Sequence, residues 1–386
     1  MSLKNQWLSD LKILDLSRLL PGPFCTLILS DMGAEVLKIE DPKGGDYARY
    51  FPPMLAGQSV SGFFAGLNRD KRSMTLNLKT PEGIEIMRQL AMDADILVES
   101  FRPGVMARLG LGHPELCALN KRLIYCSISG YGQDGPMSQR AGHDLNYMAR
   151  SGLLQQNGTG ELPSMPGFQV ADIAGGTLYA AIGILGALHK RHRTGQGSYL
   201  DISMTDGALS LHLPLHAATA AGQPPQRGQE MLNGGLPCYN IYKTRDQEHL
   251  AVAALEPKFW TAFVQVIGAP ELVTDGMNSG AAGRETYQKV AAILAQKTRA
   301  EWVEIFAAVD VCVEPVLSPA EALQDALFDA RQRFFEITGT PQRRTPLTPL
   351  ERDHASAPEL GAHTDEILYE LKLGARIEEF RAAGII

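Results

Sequence analysis

The chain has 386 residues, more than one compact core usually organises, with 45% hydrophobic and 20% charged residues. A soluble globular protein of two domains is expected. A net charge of −7 without a long basic run argues against nucleic acid as the main partner but leaves room for a local basic pocket. Cys25, Cys117, Cys126, Cys238 and Cys312 are scattered, without a C-x-x-C pair or zinc-type spacing. They predict free thiols in a reducing compartment and no bound metal.

The first third alternates strands with helices. Leu11 to Leu16 reads as a strand, Pro21-Gly22-Pro23 as a turn, Phe24 to Met32 as an apolar helix ending at Gly33, and Glu35 to Ile39 as a second strand. Thr80-Pro81-Glu82 has the N-cap and first-turn proline of a helix start, followed by Ile84, Met87, Leu90 and Ala91 on one apolar face. Asp95 to Glu99, Leu123 to Ser129 and Ser198 to Met204 read as further strands. The glycine-rich run Ile173 to Leu188 is too interrupted for a membrane span and reads as a buried helix. This alternation predicts an α/β fold: a Rossmann-like layered sheet with parallel crossovers.

The middle of the chain changes character. Ala221 to Gly235 is rich in Gly, Gln and Pro and reads as a domain crossing. Tyr239 to Tyr242 and His249 to Ala253 read as paired strands, and Glu256 to Ile267 and Tyr287 to Ala295 as helices. Thr298-Arg299-Ala300-Glu301 and Ser318-Pro319-Ala320-Glu321 are capping boxes. The proline-rich stretch Gly339 to His363 reads as a long surface crossing, and Thr364 to Leu371 as a short helix. The composition shifts predict boundaries near 220 and 325. The charged N-terminal residues lack the apolar core of a signal peptide, so a cytoplasmic protein is expected, or one in an organelle lumen after trimming.

No G-x-G-x-x-G follows the first strand, so this sheet need not hold a dinucleotide. Three acid–base groups interrupt apolar or glycine-rich sequence, where a solvated charge is not expected. They are His143 in Ala141-Gly142-His143-Asp144-Leu145-Asn146-Tyr147, Asp172 in Val170-Ala171-Asp172-Ile173-Ala174-Gly175-Gly176, and Glu256 before Pro257. Histidine exchanges a proton cheaply near neutrality, and the trio points to an acid–base enzyme. Each also has a plainer reading: a histidine hydrogen-bonded in a turn, and two helix caps. Lys38 ends the second strand and Arg102 follows another, at the carboxyl ends where α/β sheets bind ligands. With Arg69, Lys71, Arg72 and Arg108 they form either a site for pyrophosphate or a 3′-phosphate, or a solvated basic surface.

Taken in order, several blocks resemble the family III CoA-transferase superfamily (CaiB/BaiF-like), and within it the α-methylacyl-CoA racemases. They are Leu20-Pro21-Gly22-Pro23-Phe24, Asp31 to Glu40, Asn68 to Ser73, Phe101-Arg102-Pro103-Gly104-Val105, Gly130 to Pro136, Ala141 to Tyr147, Gly235 to Tyr239 and Leu255 to Trp260. The block Lys38-Ile39-Glu40-Asp41-Pro42 with Gly44-Gly45-Asp46 is closer to the broad transferase pattern than to the animal racemases. The resemblance implies an acyl-CoA thioester as substrate, with no cofactor beyond the coenzyme A it carries, and an interlocked homodimer whose chain forms a large Rossmann-like domain over 1–220, a smaller α+β domain over 221–325, and a segment 326–386 that returns to the large domain. In racemases of this kind the residues at the positions of His143, Asp172 and Glu256 form the proton-transfer site. Inversion there runs through an enolate, with backbone amides at Gly175-Gly176 expected to help hold the thioester oxygen. In the transferases the aspartate at the position of Asp172 is instead a nucleophile that becomes an aspartyl-CoA thioester. The resemblance also matches Arg108 to a CoA-contacting arginine and places Tyr147 along the thioester channel.

Overall fold

A computed structural model describes residues 7–55, 57, 60–159 and 161–386. The chain divides into two compact units. The larger contains the chain up to Ser151, Phe168–Leu211 and Ala326–Ile386; the smaller contains Gly152–Gly167 and His212–Asp325.

The larger unit is built on six strands: β1 Lys12–Leu16, β2 Glu35–Glu40, β3 Arg72–Thr75, β4 Ile96–Glu99, β5 Ile124–Ser129 and β6 Ser198–Ser203. Every pairing is parallel and the order is β3-β2-β1-β4-β5-β6. This is the doubly wound order, in which the chain reverses direction across the sheet between β1 and β4. The central strands are apolar on both faces, as helix-covered parallel strands must be. Leu14, Leu16, Leu37, Leu97 and Tyr125 join Met74, Met87, Leu368 and Phe380 in one core.

Two local expectations change. Pro21-Gly22-Pro23 is the first turn of the helix Pro21–Asp31, because a proline there has no N–H that the helix needs. Gly22 lets that turn lie on the loop before it; a Cβ would stand 2.1 Å from Ser17 Cβ. The strand β3 was hidden by the charges that lead into it, and its edge is closed by the C-terminal segment. His363 N–H donates to the Ser73 carbonyl (2.9 Å), Ser73 N–H to His363 Nδ1 (3.1 Å), and Thr75 N–H to Thr364 Oγ1 (3.0 Å). Covering an edge this way removes a template for unwanted pairing. The crossing Gly339 to His363 contains β11 (Thr340–Arg343), which pairs antiparallel with β10 (Phe334–Ile337).

Tyr179–Thr194 is helical and continues a π-helical segment, Ala171–Leu178. The joined helix is long and apolar enough by composition to cross a bilayer. Here it packs against β5 and β6, burying Ala180, Ala181, Ile184 and Ala187.

The smaller unit has an antiparallel sheet of β7 (Tyr239–Lys243), β8 (His249–Ala253) and β9 (Val313–Pro315) in that order. Helices Pro257–Val266 and Arg299–Phe306 bury Trp260, Phe263, Trp302 and Phe306 in its own core. Both expected capping boxes form, at Thr298/Glu301 and Ser318/Glu321.

Candidate active site

A cleft of about 370 Å³ opens in the larger unit at the carboxyl ends of the strands. Arg18, Leu19 and Pro21 line it after β1, Ser100 to Pro103 after β4, Ile128 to Gly130 at the end of β5, and Met204 after β6. A doubly wound sheet leaves its ligand crevice at this reversal point, because the helices on either side diverge there. His143, Tyr147 and Asp172 line the same cleft.

Tyr147 explains how the histidine turn is held. Its ring packs on two glycines: a Cβ on Gly130 would lie 2.5 Å from the ring, and one on Gly142 would lie 2.7 Å away. Its hydroxyl donates to the Gly142 carbonyl at 2.5 Å, and Tyr131 meets the ring edge-on at 5.2 Å. Gly142 is thereby fixed beside the end of β5, with His143 next in the chain. His143 heads the helix Asp144–Ser151; its carbonyl accepts from Asn146 N–H, and its own N–H donates to Asn146 Oδ1 (3.0 Å). The His143 side chain is exposed to the cleft's solvent.

Asp172 lies in the first turn of the π-helical segment. Such wide turns interrupt helices frequently at functional sites. Its N–H donates to Asp144 Oδ1 at 2.9 Å, so the acid beside His143 anchors the start of the segment that carries the second acid. Burial, reinforced by the neighbouring Asp144 carboxylate, pushes the Asp172 carboxyl up to about 7. Burial raises Asp144 as well. A carboxyl group that titrates near neutrality can hold or accept a proton at working pH.

Gly175 and Gly176 have a packing role. A Cβ on Gly175 would stand 2.6 Å from the Met204 carbonyl oxygen, and one on Gly207 would stand 2.2 Å from the Gly175 oxygen. Gly175 and Gly207 let the π-helical segment and the helix Met204–Ser210 touch backbone to backbone, Gly176 makes room for the Met204 side chain, and Thr177 Oγ1 ties the segment to the Pro21 carbonyl (2.7 Å). This close contact is a packing role for Gly175 and Gly176 beside the donor role expected for their amides.

The seven residues expected at a CoA site separate into groups. Arg102 and Tyr147 line the cleft. Arg108 is exposed at the end of the short helix Val105–Arg108 that follows the cleft loop. Arg72 pairs with Glu35, Glu366 and Glu370 at the sheet edge. Lys38, Arg69 and Lys71 are buried among carboxylates. Lys38 Nζ stands 3.2 Å from Asp46 Oδ2 and donates to the Ser17 carbonyl (2.8 Å). Arg69 grips Asp31 at 2.7 and 2.9 Å and reaches Asp70 at 2.8 Å. Lys71 Nζ donates to Asp15, Thr26, Asn68 and the Pro23 carbonyl. These three have no face to solvent, so a phosphate would have to displace a carboxylate to reach them. The cations that do reach the cleft and were missed are Arg18 and Arg140. Arg18 could have been found from its place two residues beyond a strand end.

Glu256 belongs to the smaller unit, where it is the exposed N-cap residue of the helix Pro257–Val266. Its carbonyl accepts from Phe259 and Trp260, and its side chain makes no capping bond. Glu99 was also missed as a site-forming residue. It is buried at the end of β4, accepts from Phe101 N–H at 2.8 Å, and so fixes the loop that carries Arg102. Burial pushes its carboxyl up to about 7, with Asp201 adding to the rise against hydrogen bonds from Ser127 and Phe101.

Residues 8–364 match the model of the family described as CoA-transferase family III. The chain is 39% identical to alpha-methylacyl-CoA racemase of Homo sapiens over 371 residues, covering 94% of this chain and 93% of that protein. It is 32% identical to succinyl-CoA:glutarate CoA-transferase of Mus musculus over 397 residues, covering 98% and 90%. Among solved structures, a CaiB/BaiF family protein from Brucella suis superposes with a TM-score of 0.83 at 30% identity, covering 95% of this chain and all of that one.

Proposed function

Because the chain belongs to CoA-transferase family III, and is therefore an enzyme, we propose that it inverts the α-carbon of 2-methylacyl-CoA thioesters. The observation that carries this reading is the pairing of His143 with a near-neutral Asp172 in one cleft. The thioester carbonyl acidifies the neighbouring C–H. One of the two groups takes that proton and leaves an enolate, and the other returns a proton to the opposite face. Such exchange needs one group ionised and the other protonated, and a carboxyl near pH 7 serves either part.

Arg18, Arg102 and Arg140 are the cleft cations for the phosphates of coenzyme A, with Arg108 beside them. Tyr147 borders the thioester. Glu256 is assigned the assisting role that the racemase resemblance implies. Coenzyme A enters as part of the substrate. The working form is a homodimer, supported by Leu178, Ile182, Leu209 and Leu211 standing exposed around the π-helical segment, a denser apolar surface than a lone chain favours. Sedimentation tests this, since a monomer at micromolar concentration rules it out. The unpaired cysteines support a reducing, cytoplasmic setting.

The likeness to transferases favours a second reading. There the Asp172 carboxylate attacks the thioester carbonyl and CoA leaves as thiolate. CoA then attacks the resulting anhydride to give aspartyl-CoA and the free acid, and a second acid takes the CoA. Proton NMR of a single-enantiomer 2-methylacyl-CoA in D2O, with no acid acceptor, separates the two. Loss of the α-proton signal with growth of the opposite enantiomer supports inversion. An unchanged spectrum, with hydroxylamine-trappable acyl-enzyme, supports transfer.

A further inference from the structure

We infer that the buried pair Lys38–Asp46 is the positioning device for the β1 wall of the cleft, and that it sets ligand affinity without touching the ligand. Three cleft residues, Arg18, Leu19 and Tyr47, come from two separate loops, and the pair joins those loops. Both oxygens of the Asp46 carboxylate accept from Leu19 N–H at 3.2 Å. One of them also accepts from Ala48 N–H at 3.0 Å and starts the turn Tyr47–Tyr50. Lys38 Nζ, 3.2 Å from Asp46, donates at 2.8 Å to the carbonyl of Ser17, the residue before Arg18.

Leu19 shows that this loop is held under constraint. Its φ is +64°, in the left-handed region that a leucine occupies only when its surroundings impose it, and such residues gather at ligand sites. The imposing contact is the Asp46 carboxylate. Both charged side chains have no exposure at all. A buried salt bridge often stabilises a core no better than an apolar pair of equal volume, so its presence here points to a role besides stability. Its charged ends account for it by fixing the backbone on both sides of Arg18. Burial by itself would lower the Lys38 ammonium, but Asp15, Asp46 and Glu40 together hold it above its ordinary value, so the cation persists.

The inference rests on the acyl-CoA reading for the identity of the ligand, and two measurements on the full chain keep the two apart. The first is calorimetric titration with free coenzyme A. Lys38→Met is expected to weaken binding by about ten-fold or more, the scale on which small misplacements of a binding group act. The second is hydrogen exchange at the Leu19 and Ala48 amides, which should quicken in Lys38→Met while the amides of β5 stay protected. Unchanged affinity with unchanged exchange at Leu19 would overturn the inference. If the unsubstituted protein binds no coenzyme A, the acyl-CoA reading falls, and exchange at Leu19 still decides what the pair does. Should Lys38→Met fail to fold, Asp46→Asn keeps one acceptor oxygen for both N–H groups, removes the charge and the oxygen that faces Lys38, and is read in the same way.

Discussion

Two populations of charge lie on and around the sheet of the larger unit. Inside, cations meet carboxylates: Lys71 with Asp15, Lys38 with Asp46, Arg69 with Asp31, and Arg49 with Glu40. At the carboxyl ends Asp172 shares its surroundings with another acid, Asp144, and Arg102 is exposed. Partners offset the desolvation cost of the paired groups, incompletely for Lys71, which burial still lowers to about 8, and these groups become scaffold. Unpaired groups keep an unfavourable environment that a substrate or a proton can relieve. The same residue types therefore do opposite jobs according to whether the fold supplies a partner.

The largest expected break in this comparison is chemical. Asp172→Asn should lower turnover by about 10²–10⁴-fold in steady-state assays, and a loss below ten-fold would remove it from the reacting centre. The next is structural. Arg69→Met leaves Asp31 buried without its cation and should destabilise by about 3–5 kcal/mol in urea unfolding. By contrast, Arg102→Ala should weaken coenzyme A binding by about ten-fold, with the unfolding midpoint unchanged. If Arg69→Met weakens coenzyme A binding directly while leaving stability intact, the division into scaffold and site is wrong.

Acid–base linkage sharpens the contrast further. The folded state favours the protonated form of Asp172 up to about pH 7, whereas the unfolded chain loses that proton near pH 4. This carboxyl therefore costs stability progressively as pH rises from about 4 to 7, and the cost persists above that window. Asp172→Asn should raise the melting temperature by about 2 °C at pH 8 and leave it unchanged near pH 4, a figure discounted for partial solvent access. The smallest expected effect is at the sheet edge. Arg72 faces Glu35, Glu366 and Glu370, all about half exposed, and Arg72→Ala should cost below about 1 kcal/mol.

Much of this was legible in the sequence where the signal is local. Strand and helix periodicity indicated the parallel sheet, and His143 and Asp172 stood out as charges placed where apolar or glycine-rich sequence surrounds them. The partners of the cations were not legible, because Lys71 meets Asp15 across 56 residues and Arg69 meets Asp31 across 38. A run such as Asn68-Arg69-Asp70-Lys71-Arg72 looks the same whether it is solvated or folded inward. Pro21-Gly22-Pro23 read as a turn because proline and glycine mark both turns and helix starts, and only the contact with Ser17 decides between them.

The seal on β3 carries a consequence for the order in which the protein is made. Ser73 waits for His363, 290 residues later, and Arg49 waits for Pro358, 309 residues later. The smaller unit is contiguous from His212 to Asp325 apart from one short segment, which has already emerged by then. On the ribosome, then, the second unit holds all of its parts while the first still shows a bare strand. The unit that holds β3 closes its edge only after the other unit has emerged, and until then that open edge is the surface a nascent chain has most need to shield.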